Sequence, residues 1–194
     1  MRTVNLNGQS VSPTKILCAG RNYVAHIEEL GNEVPEELVV FFKPNCAISN
    51  TLHAKLDDEA LHYEAEIAFM VKGGELVAVG LGLDLTKRTL QSQLKIKGLP
   101  WERAKAFDGS ALFSAFVMLE HSLASLELRL FVNNELRQQG GVSLMLHPPD
   151  KILAELSSFT TLEDHDIIMT GTPAGVGQVH PGECFLGQIT AGDE

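Results

Sequence analysis

Residues 61–71 read LHYEAEIAFMV, and this stretch decides the fold because its side chains alternate in character. Residues two apart in a β-strand point to the same face. One face is largely apolar and consists of Tyr63, Ala65, Ile67, Phe69 and Val71. The other face carries two carboxylates and consists of His62, Glu64, Glu66, Ala68 and Met70. The pattern predicts one β-strand over 61–71 in which both glutamates leave the same face.

A second predicted strand, over 76–83, delivers Asp84 at its end. Because the face that bears Glu64 and Glu66 continues with apolar residues, we expect it to be buried, where unpaired carboxylates are costly. Mg²⁺ and Mn²⁺ prefer such oxygen ligands. These three acids are therefore candidate ligands of one Mg²⁺ or Mn²⁺ ion, with His62 as a possible fourth ligand. On spacing alone, the alternative is a strand with two solvent-facing acids.

Working outward from this strand, the chain has many short β-like runs and few helices, which predicts a β-rich α+β fold. The chain is long enough for one domain with a core, so residues 1–194 are predicted to form a single catalytic domain. Residues 1–15 form a hairpin across Asn7-Gly8. The further predicted strands are 15–19, 38–42, 126–132, 136–139 and 166–170, and the predicted helices are 22–30, 87–97 and 149–159.

Composition excludes several classes of protein. The chain has 194 residues, 44% of them hydrophobic, and a net charge of −10, so it lacks the basic surface of a nucleic-acid or membrane-surface binder. No run approaches the roughly 20 apolar residues that span a bilayer. Cys18, Cys46 and Cys184 have no zinc-site spacing and are predicted to be free, buried thiols. A cytoplasmic protein is expected.

Two further segments carry candidate chemistry. His26 and Glu29 are three apart on a predicted helix, where a carboxylate orients an imidazole and makes it a usable general base. A surface ion pair is the alternative. Lys105 could bind a substrate oxyanion, although a lone lysine is usually a solvated surface group. The glycine-rich stretch 170–177 either presents N–H groups to an anion or forms a tight loop.

Seven segments, taken in order, resemble the fumarylacetoacetate hydrolase family, including its acylpyruvate hydrolase and diene-dioate isomerase members. They are CAGRNYVAHIEELG (18–31), FKP (42–44), LHYEAE (61–66), LDLTKR (83–88), KGLPWERAKAFDGS (97–110), VNNELRQ (132–138) and TGTPAGVG (170–177). Each is weak alone, but the ordered set is specific and outweighs the separate alternatives. The resemblance implies a rolled mixed β-sheet with short helices, commonly in a homodimer.

The resemblance also implies roles for individual residues. Glu64, Glu66 and Asp84 match the metal ligands of the family. His26 and Glu29 match a pair that activates water on a lid-like helix.

The implied substrate contacts come from other segments. Lys105 and Gln91 match residues that contact substrate oxygens, and Lys105 also takes a catalytic role by steadying negative charge. Thr172 lies in the turn that, in the family, contacts a carboxylate of the substrate. Arg21 is a further substrate-binding candidate.

The function implied is metal-dependent hydrolysis of a carbon–carbon bond in a small acylpyruvate-type β-diketo acid. The alternative is decarboxylation or tautomerisation of an oxo-diacid, such as oxaloacetate or a ring-cleavage product, which needs the same enolate but no attacking water. A catalytically silent metal-binding dimer is a third reading, and the presence of both the acid triad and the His26–Glu29 pair argues against it.

The chain departs from the family pattern at three places. The segment 72–82 is shorter than expected, because relatives usually have a helical excursion there. Thr89 stands where an Asp is frequent. Relatives usually continue into further strands beyond the position of Glu194.

Overall fold

The computed structural model describes residues 1–192 and contains, in that range, sixteen β-strands and four α-helices. The strands are β1 (Val4–Leu6), β2 (Gln9–Val11), β3 (Lys15–Gly20), β4 (Val39–Pro44), β5 (Lys55–Leu56), β6 (Glu59–Tyr63), β7 (Ala65–Lys72), β8 (Glu75–Asp84), β9 (Thr86–Lys87), β10 (Ala111–Phe113), β11 (Val117–Met118), β12 (Leu126–Val132), β13 (Glu135–Gly141), β14 (Ile167–Met169), β15 (Gly177–Gln178) and β16 (Phe185–Ala191). The helices are α1 (Val24–Glu29), α2 (Arg88–Ile96), α3 (Glu102–Lys105) and α4 (Pro149–Phe159).

A mixed β-sheet forms the centre of the molecule, with strand order β10-β8-β7-β14-β3-β4 and β11 also paired to β8. β14 runs parallel to β3 and antiparallel to β7. Smaller sheets are formed by β1-β2, by β13-β12-β16, and by β15-β6-β5 with β9. This curled, mixed, β-rich architecture with few short helices confirms the predicted fold class. The single catalytic domain over 1–194 stays a prediction.

The predicted strand over 61–71 is wrong as one strand, because the structure breaks it at Glu64 into β6 and β7. β6 pairs with β9 and β15, whereas β7 pairs with β8 in the central sheet. The partner segment is interrupted at the same level, between Asp84 at the end of β8 and Thr86 at the start of β9. Both segments change pairing partners at this level. Glu64 and Asp84 therefore lie where their strands pass from the central sheet to a smaller one.

The strand β7 is buried on both faces. Ala65, Ile67 and Phe69 pack in one apolar core together with side chains of β12. Ala68 and Met70 pack in a second core on the opposite face. The predicted alternation of faces is therefore confirmed, and the face that bears the acids is a buried one.

Most other predicted elements are present with small changes of bounds. The hairpin β1-β2 turns at Asn7-Gly8, where both residues have positive φ. α4 has the predicted bounds, and α2 is one residue shorter at each end. α1 begins at Val24 rather than at residue 22, because the backbone of Tyr23 is extended; the side chain of Asn22 donates to the carbonyls of His147 and Thr170. Strand β16 was not predicted, although it pairs with β12 over seven residues.

The short segment 72–82 contains the tight turn of the β7-β8 hairpin, at Gly73-Gly74, and most of β8. It contains no helix, which is the difference from the family pattern that the sequence indicates. Cys18, Cys46 and Cys184 are free thiols as predicted, but only Cys18 is buried. No helix within residues 1–192 combines the length and the apolar character needed to cross a bilayer.

Candidate metal centre

Three carboxylates meet at the bend where β6 passes into β7 and β8 passes into β9. Glu64 lies between β6 and β7, Glu66 lies in β7, and Asp84 ends β8. One oxygen atom from each carboxylate lies within 4.8 Å of the others, and all three residues are buried. Among residues 1–192 no other group of three acidic, histidine or cysteine side chains has this geometry. The structure therefore brings together the three predicted metal ligands.

Cationic side chains surround two of these carboxylates. The ammonium of Lys105 donates to Glu64 Oε2 at 2.7 Å and to Asp84 Oδ2 at 2.6 Å. Lys43 Nζ lies 2.8 Å from Asp84 Oδ1, and Arg88 Nη2 donates to Glu64 Oε1. Glu64 and Asp84 therefore each have two positive charges at ion-pair distance.

Glu66 has no cationic partner at ion-pair distance within the described part of the chain. Its Oε2 instead accepts the backbone N–H of Gly171 at 2.7 Å. Gly171 has φ +95°, and a Cβ at this position would lie 2.8 Å from the Cβ of Asn22. Glycine is therefore required to bring this N–H to the carboxylate, because a side chain would be both strained and obstructed.

Burial and neighbouring charges compete at these groups. Burial by itself would raise the pKa of Glu64, but Lys105 and Arg88 outweigh it and hold that pKa well below its usual range. Burial raises the pKa of Glu66, and the negative charges of Asp84 and Glu64 raise it further. Burial would lower the pKa of Lys105, but Asp84 and Glu64 outweigh it and raise that pKa. Glu66 is thus the carboxylate that an added cation would stabilise most.

The donor set fits a hard divalent cation. All three side chains offer carboxylate oxygens, which Mg²⁺ and Mn²⁺ prefer. Asp84 Oδ1 is buried, and despite its closeness to Lys43 it accepts no aligned hydrogen bond. A buried acceptor without a partner is costly, and a cation would remove part of that cost. Glu64, Glu66 and Asp84 are therefore the residues that would hold the ion.

His26 and Glu29 form the predicted pair on α1. His26 Nδ1 lies 3.1 Å from Glu29 Oε2. Because an ionised carboxylate only accepts hydrogen bonds, we assign the ring proton to Nδ1, which leaves Nε2 as the basic nitrogen. Glu29 Oε1 accepts the N–H of Gly175 at 3.0 Å, which anchors the pair to the glycine-rich loop. His26 lines the same pocket as the carboxylates.

The predicted substrate-binding residues Gln91, Arg21 and Thr172 also line this pocket. Gln91 is buried on α2 and accepts a hydrogen bond from Arg88 Nη1 at 2.8 Å. The hydroxyl of Thr172 donates to the carbonyl of Ala65 at 2.7 Å, so its proton is already used. The contacts of all three residues with a substrate stay predictions.

The placement of His62 differs from the prediction that it could be a ligand. It lies in β6, where it pairs with Thr86 and Gln178, and it belongs neither to the carboxylate cluster nor to the pocket lining. His62 is therefore not one of the clustered ligands, although its ring is close enough to Glu64 to feel that charge.

Sequence reasoning assigned no role to two site residues, Lys43 and Lys95. Lys43 is fully buried beside Asp84. A lysine that directly follows a predicted apolar strand was the available signal. Lys95 lines the pocket from α2, four residues after Gln91. Residues four apart share a helix face, so the assignment of Gln91 could have led to Lys95.

A curled mixed sheet that holds a buried carboxylate triad beside a lysine and a His–Glu pair is the arrangement that the resemblance predicts for fumarylacetoacetate hydrolase-type proteins. The fumarylacetoacetate hydrolase C-terminal family matches residues 15–193. The chain therefore belongs to the fumarylacetoacetate hydrolase family, and the resemblance noted in its sequence is confirmed.

Known proteins that are similar to this chain carry several activities. The oxaloacetate tautomerase YcgM of Escherichia coli is 37% identical over an alignment of 187 positions, and the match covers 88% of this chain and 85% of that protein. Further relatives from yeast and rice have the same enzyme name. A fumarylacetoacetate isomerase/hydrolase homologue from Oleispira antarctica superposes with a TM-score of 0.92 at 34% identity, covering 98% of this chain and 94% of that one.

A fumarylpyruvate hydrolase from Pseudomonas aeruginosa, solved in complex with Mn²⁺ and pyruvate, superposes with a TM-score of 0.89 at 30% identity. The match covers 97% of this chain and 91% of that one. Members of the family are thus enzymes, and the relatives include both tautomerases and hydrolases.

Proposed function

We propose that this chain is a divalent-metal-dependent enzyme that interconverts the enol and keto forms of oxaloacetate. The observation that carries the proposal is the convergence of the carboxylate triad, Lys105 and His26 on one pocket of a chain whose relatives include oxaloacetate tautomerases. The sequence offers oxo-diacid tautomerisation as an alternative, and the similarity to oxaloacetate tautomerases ranks it ahead of acylpyruvate hydrolysis.

Tautomerisation requires a proton transfer and charge stabilisation. In the enol-to-keto direction, the enol hydroxyl gives up its proton, C3 gains one, and no other atom is added or lost. A divalent cation on Glu64, Glu66 and Asp84 would supply electrophilic stabilisation of the negative charge on the 2-oxo oxygen. Lys105, held as an ammonium by the neighbouring acids, adds a fixed positive charge at the same place.

The His26–Glu29 pair supplies the proton transfer in this proposal. Glu29 fixes the ring through Nδ1, so that Nε2 is free to exchange the proton at C3. The hydrogen bond from the N–H of Gly175 holds Glu29 in turn, and this reduces the number of orientations that the ring has to search.

Hydrolysis of an acylpyruvate-type acid is the second candidate. The same oriented imidazole would deprotonate a water molecule for attack on the distal carbonyl. The similarity to a fumarylpyruvate hydrolase with Mn²⁺ and pyruvate favours this candidate. Both candidates pass through an enolate, but hydrolysis also requires an attacking water and breaks the C3–C4 bond, whereas tautomerisation only moves a proton.

The test of the proposal follows the ultraviolet absorbance of enol-oxaloacetate in the presence of the protein with Mg²⁺, Mn²⁺ or a chelator. Free metal ions at the same concentration serve as the control, because they promote enolisation themselves. We expect the metal-loaded protein to accelerate enol decay well beyond free metal. Acetylpyruvate cleavage is measured in parallel. Cleavage of acetylpyruvate without any acceleration of oxaloacetate tautomerisation would exchange the order of the two candidates.

Two further proposals concern assembly and location. A homodimer is supported by the exposed apolar side chains of Val117 and Met118 on β11, at an edge of the central sheet. Light scattering of the purified protein tests it. The cytoplasmic location stays a prediction from the absence of zinc or disulfide spacing, and fractionation of the source cells tests it.

A further inference from the structure

The pocket contains a second charged region in addition to the carboxylate triad. Its lining includes two cationic side chains, Arg21 and Lys95, that pair with no carboxylate within residues 1–192. Arg88, by contrast, is engaged by Glu64 and Gln91. Two unpaired positive charges in a pocket point to a negatively charged group on the ligand.

Arg21 directly follows β3 and holds an unusual backbone conformation. Its φ is +55°, which is uncommon for a residue other than glycine and is found where the surroundings impose it. Its Nη2 makes one long hydrogen bond of 3.4 Å to Asn32, and its Nε is buried without any hydrogen-bond partner. A buried guanidinium donor without an acceptor is costly, so this side chain is arranged to meet an acceptor from outside the chain.

Lys95 reaches the pocket from the last turn of α2. Its Nζ lies 4.9 Å from the centre of the Trp101 ring, a cation–π contact that fixes the position of the ammonium without neutralising it. Burial, together with the positive charges of Arg21 and Arg88, lowers the pKa of Lys95 to about 8. An anion bound between these cations would offset their mutual repulsion and raise the pKa of Lys95 again.

We propose that Arg21 and Lys95 bind the distal carboxylate of a dicarboxylic 2-oxo acid, the end that points away from the carboxylate triad. The inference rests on the proposed function for the identity of the reacting end, and it names the substrate class of the site. A dicarboxylate such as oxaloacetate has charge at both ends, whereas an acylpyruvate with an uncharged acyl group has none for these two residues to bind. Lys95 is then a residue that determines specificity.

The test uses unreactive ligands that differ by one carboxylate. Malate and lactate share the 2-hydroxy acid end, and only malate has a distal carboxylate. Affinities for both are measured by calorimetry on the Mn²⁺-loaded wild-type protein and on Lys95→Met, Lys95→Arg and Lys97→Met. Lys97 is exposed at the end of the same helix, so Lys97→Met removes the same charge outside the pocket.

We expect the wild type to prefer malate over lactate. Lys95→Met should reduce that preference by about 10-fold, the usual worth of a charge-assisted hydrogen bond, while the affinity for lactate changes little. Lys95→Arg should keep most of the preference because it keeps the charge. Lys97→Met should keep all of it. Equal affinities of the wild type for malate and lactate would overturn the inference, as would a parallel loss of both affinities in Lys95→Met.

The outcomes also separate this inference from the proposed function. A protein that fails to accelerate oxaloacetate tautomerisation, but loses its malate preference in Lys95→Met, retains the dicarboxylate site and refutes the tautomerase proposal. A protein that tautomerises oxaloacetate, but whose preference for malate over lactate is the same in the wild type and in Lys95→Met, retains the function and refutes the site.

Discussion

The backbone N–H of Asp84 donates to the carbonyl of Glu64 at 2.8 Å, at the level where two neighbouring strands both leave the central sheet. This bond closes the antiparallel pairing of β7 and β8 at its last position. Past it, each segment pairs with different strands. The two carboxylates are therefore fixed by the backbone, and the site depends on the bend as much as on the acids themselves.

Replacement of Glu66 tests the metal centre. Glu66→Gln should weaken Mn²⁺ binding by about 100-fold or more, because loss even of groups that only orient ligands costs about 10–100-fold. In chelator, the variant should be at least as stable as the wild type, since burial and the charges of Asp84 and Glu64 already disfavour an ionised carboxylate at this position. Calorimetric metal titration and urea denaturation measure the two effects.

The matched control for this change is Glu75→Gln, on the exposed end of β8. It should leave both metal affinity and stability unchanged. Full activity of Glu66→Gln in excess chelator would remove the metal from the proposed chemistry.

Lys43 is predicted to hold Asp84 in place. Lys43→Met should lower the free energy of unfolding by about 3–5 kcal/mol, because it leaves the fully buried carboxylate of Asp84 with one cation fewer. Lys72→Met, at the exposed end of β7, should change it by less than about 0.5 kcal/mol. Mn²⁺ should raise the melting temperature of Lys43→Met more than that of the wild type. Equal stability of the two variants would show that Lys43 is not needed there.

Replacement of His26 tests the general base. His26→Asn should lower the rate of oxaloacetate tautomerisation by about 10²–10⁴-fold, the usual worth of a positioned base, with unchanged affinity for Mn²⁺. Hydrolysis of any acylpyruvate substrate should fall by a similar factor, whereas decarboxylation of oxaloacetate should fall much less. Stopped-flow kinetics on the three reactions make the comparison. Equal losses in all three would assign His26 to substrate orientation instead.

The pH dependence of catalysis should report the protonation of Lys95. Burial, with Arg21 and Arg88, places its pKa at about 8, while Glu64 acts in the opposite direction and Lys105 in the same direction as the arginines. The ammonium binds the distal carboxylate, so kcat/KM for oxaloacetate should fall as pH rises through about 8. Lys95→Arg should move this decline to higher pH, because arginine stays charged. A pH profile that is identical in the two proteins would contradict the assignment.

The sequence by itself predicted the fold class, and it named three acids as candidate metal ligands. The period-two pattern of residues 61–71 indicates a buried strand, because burial of alternate side chains is a local property of an extended chain. The ordered motifs led to Glu64, Glu66, Asp84, His26 and Lys105, and the fold brings them to one pocket.

Only the tertiary structure decided how these residues act together. The break at Glu64 depends on a change of pairing partners, and nothing in residues 61–71 marks where β8 ends. Lys43 is 41 positions from Asp84 along the chain, and Gly171 is 105 positions from the carboxylate that it caps. Their roles arise from contacts between distant segments. Such contacts form only when the sheet closes, and a local pattern of side chains carries no information about them.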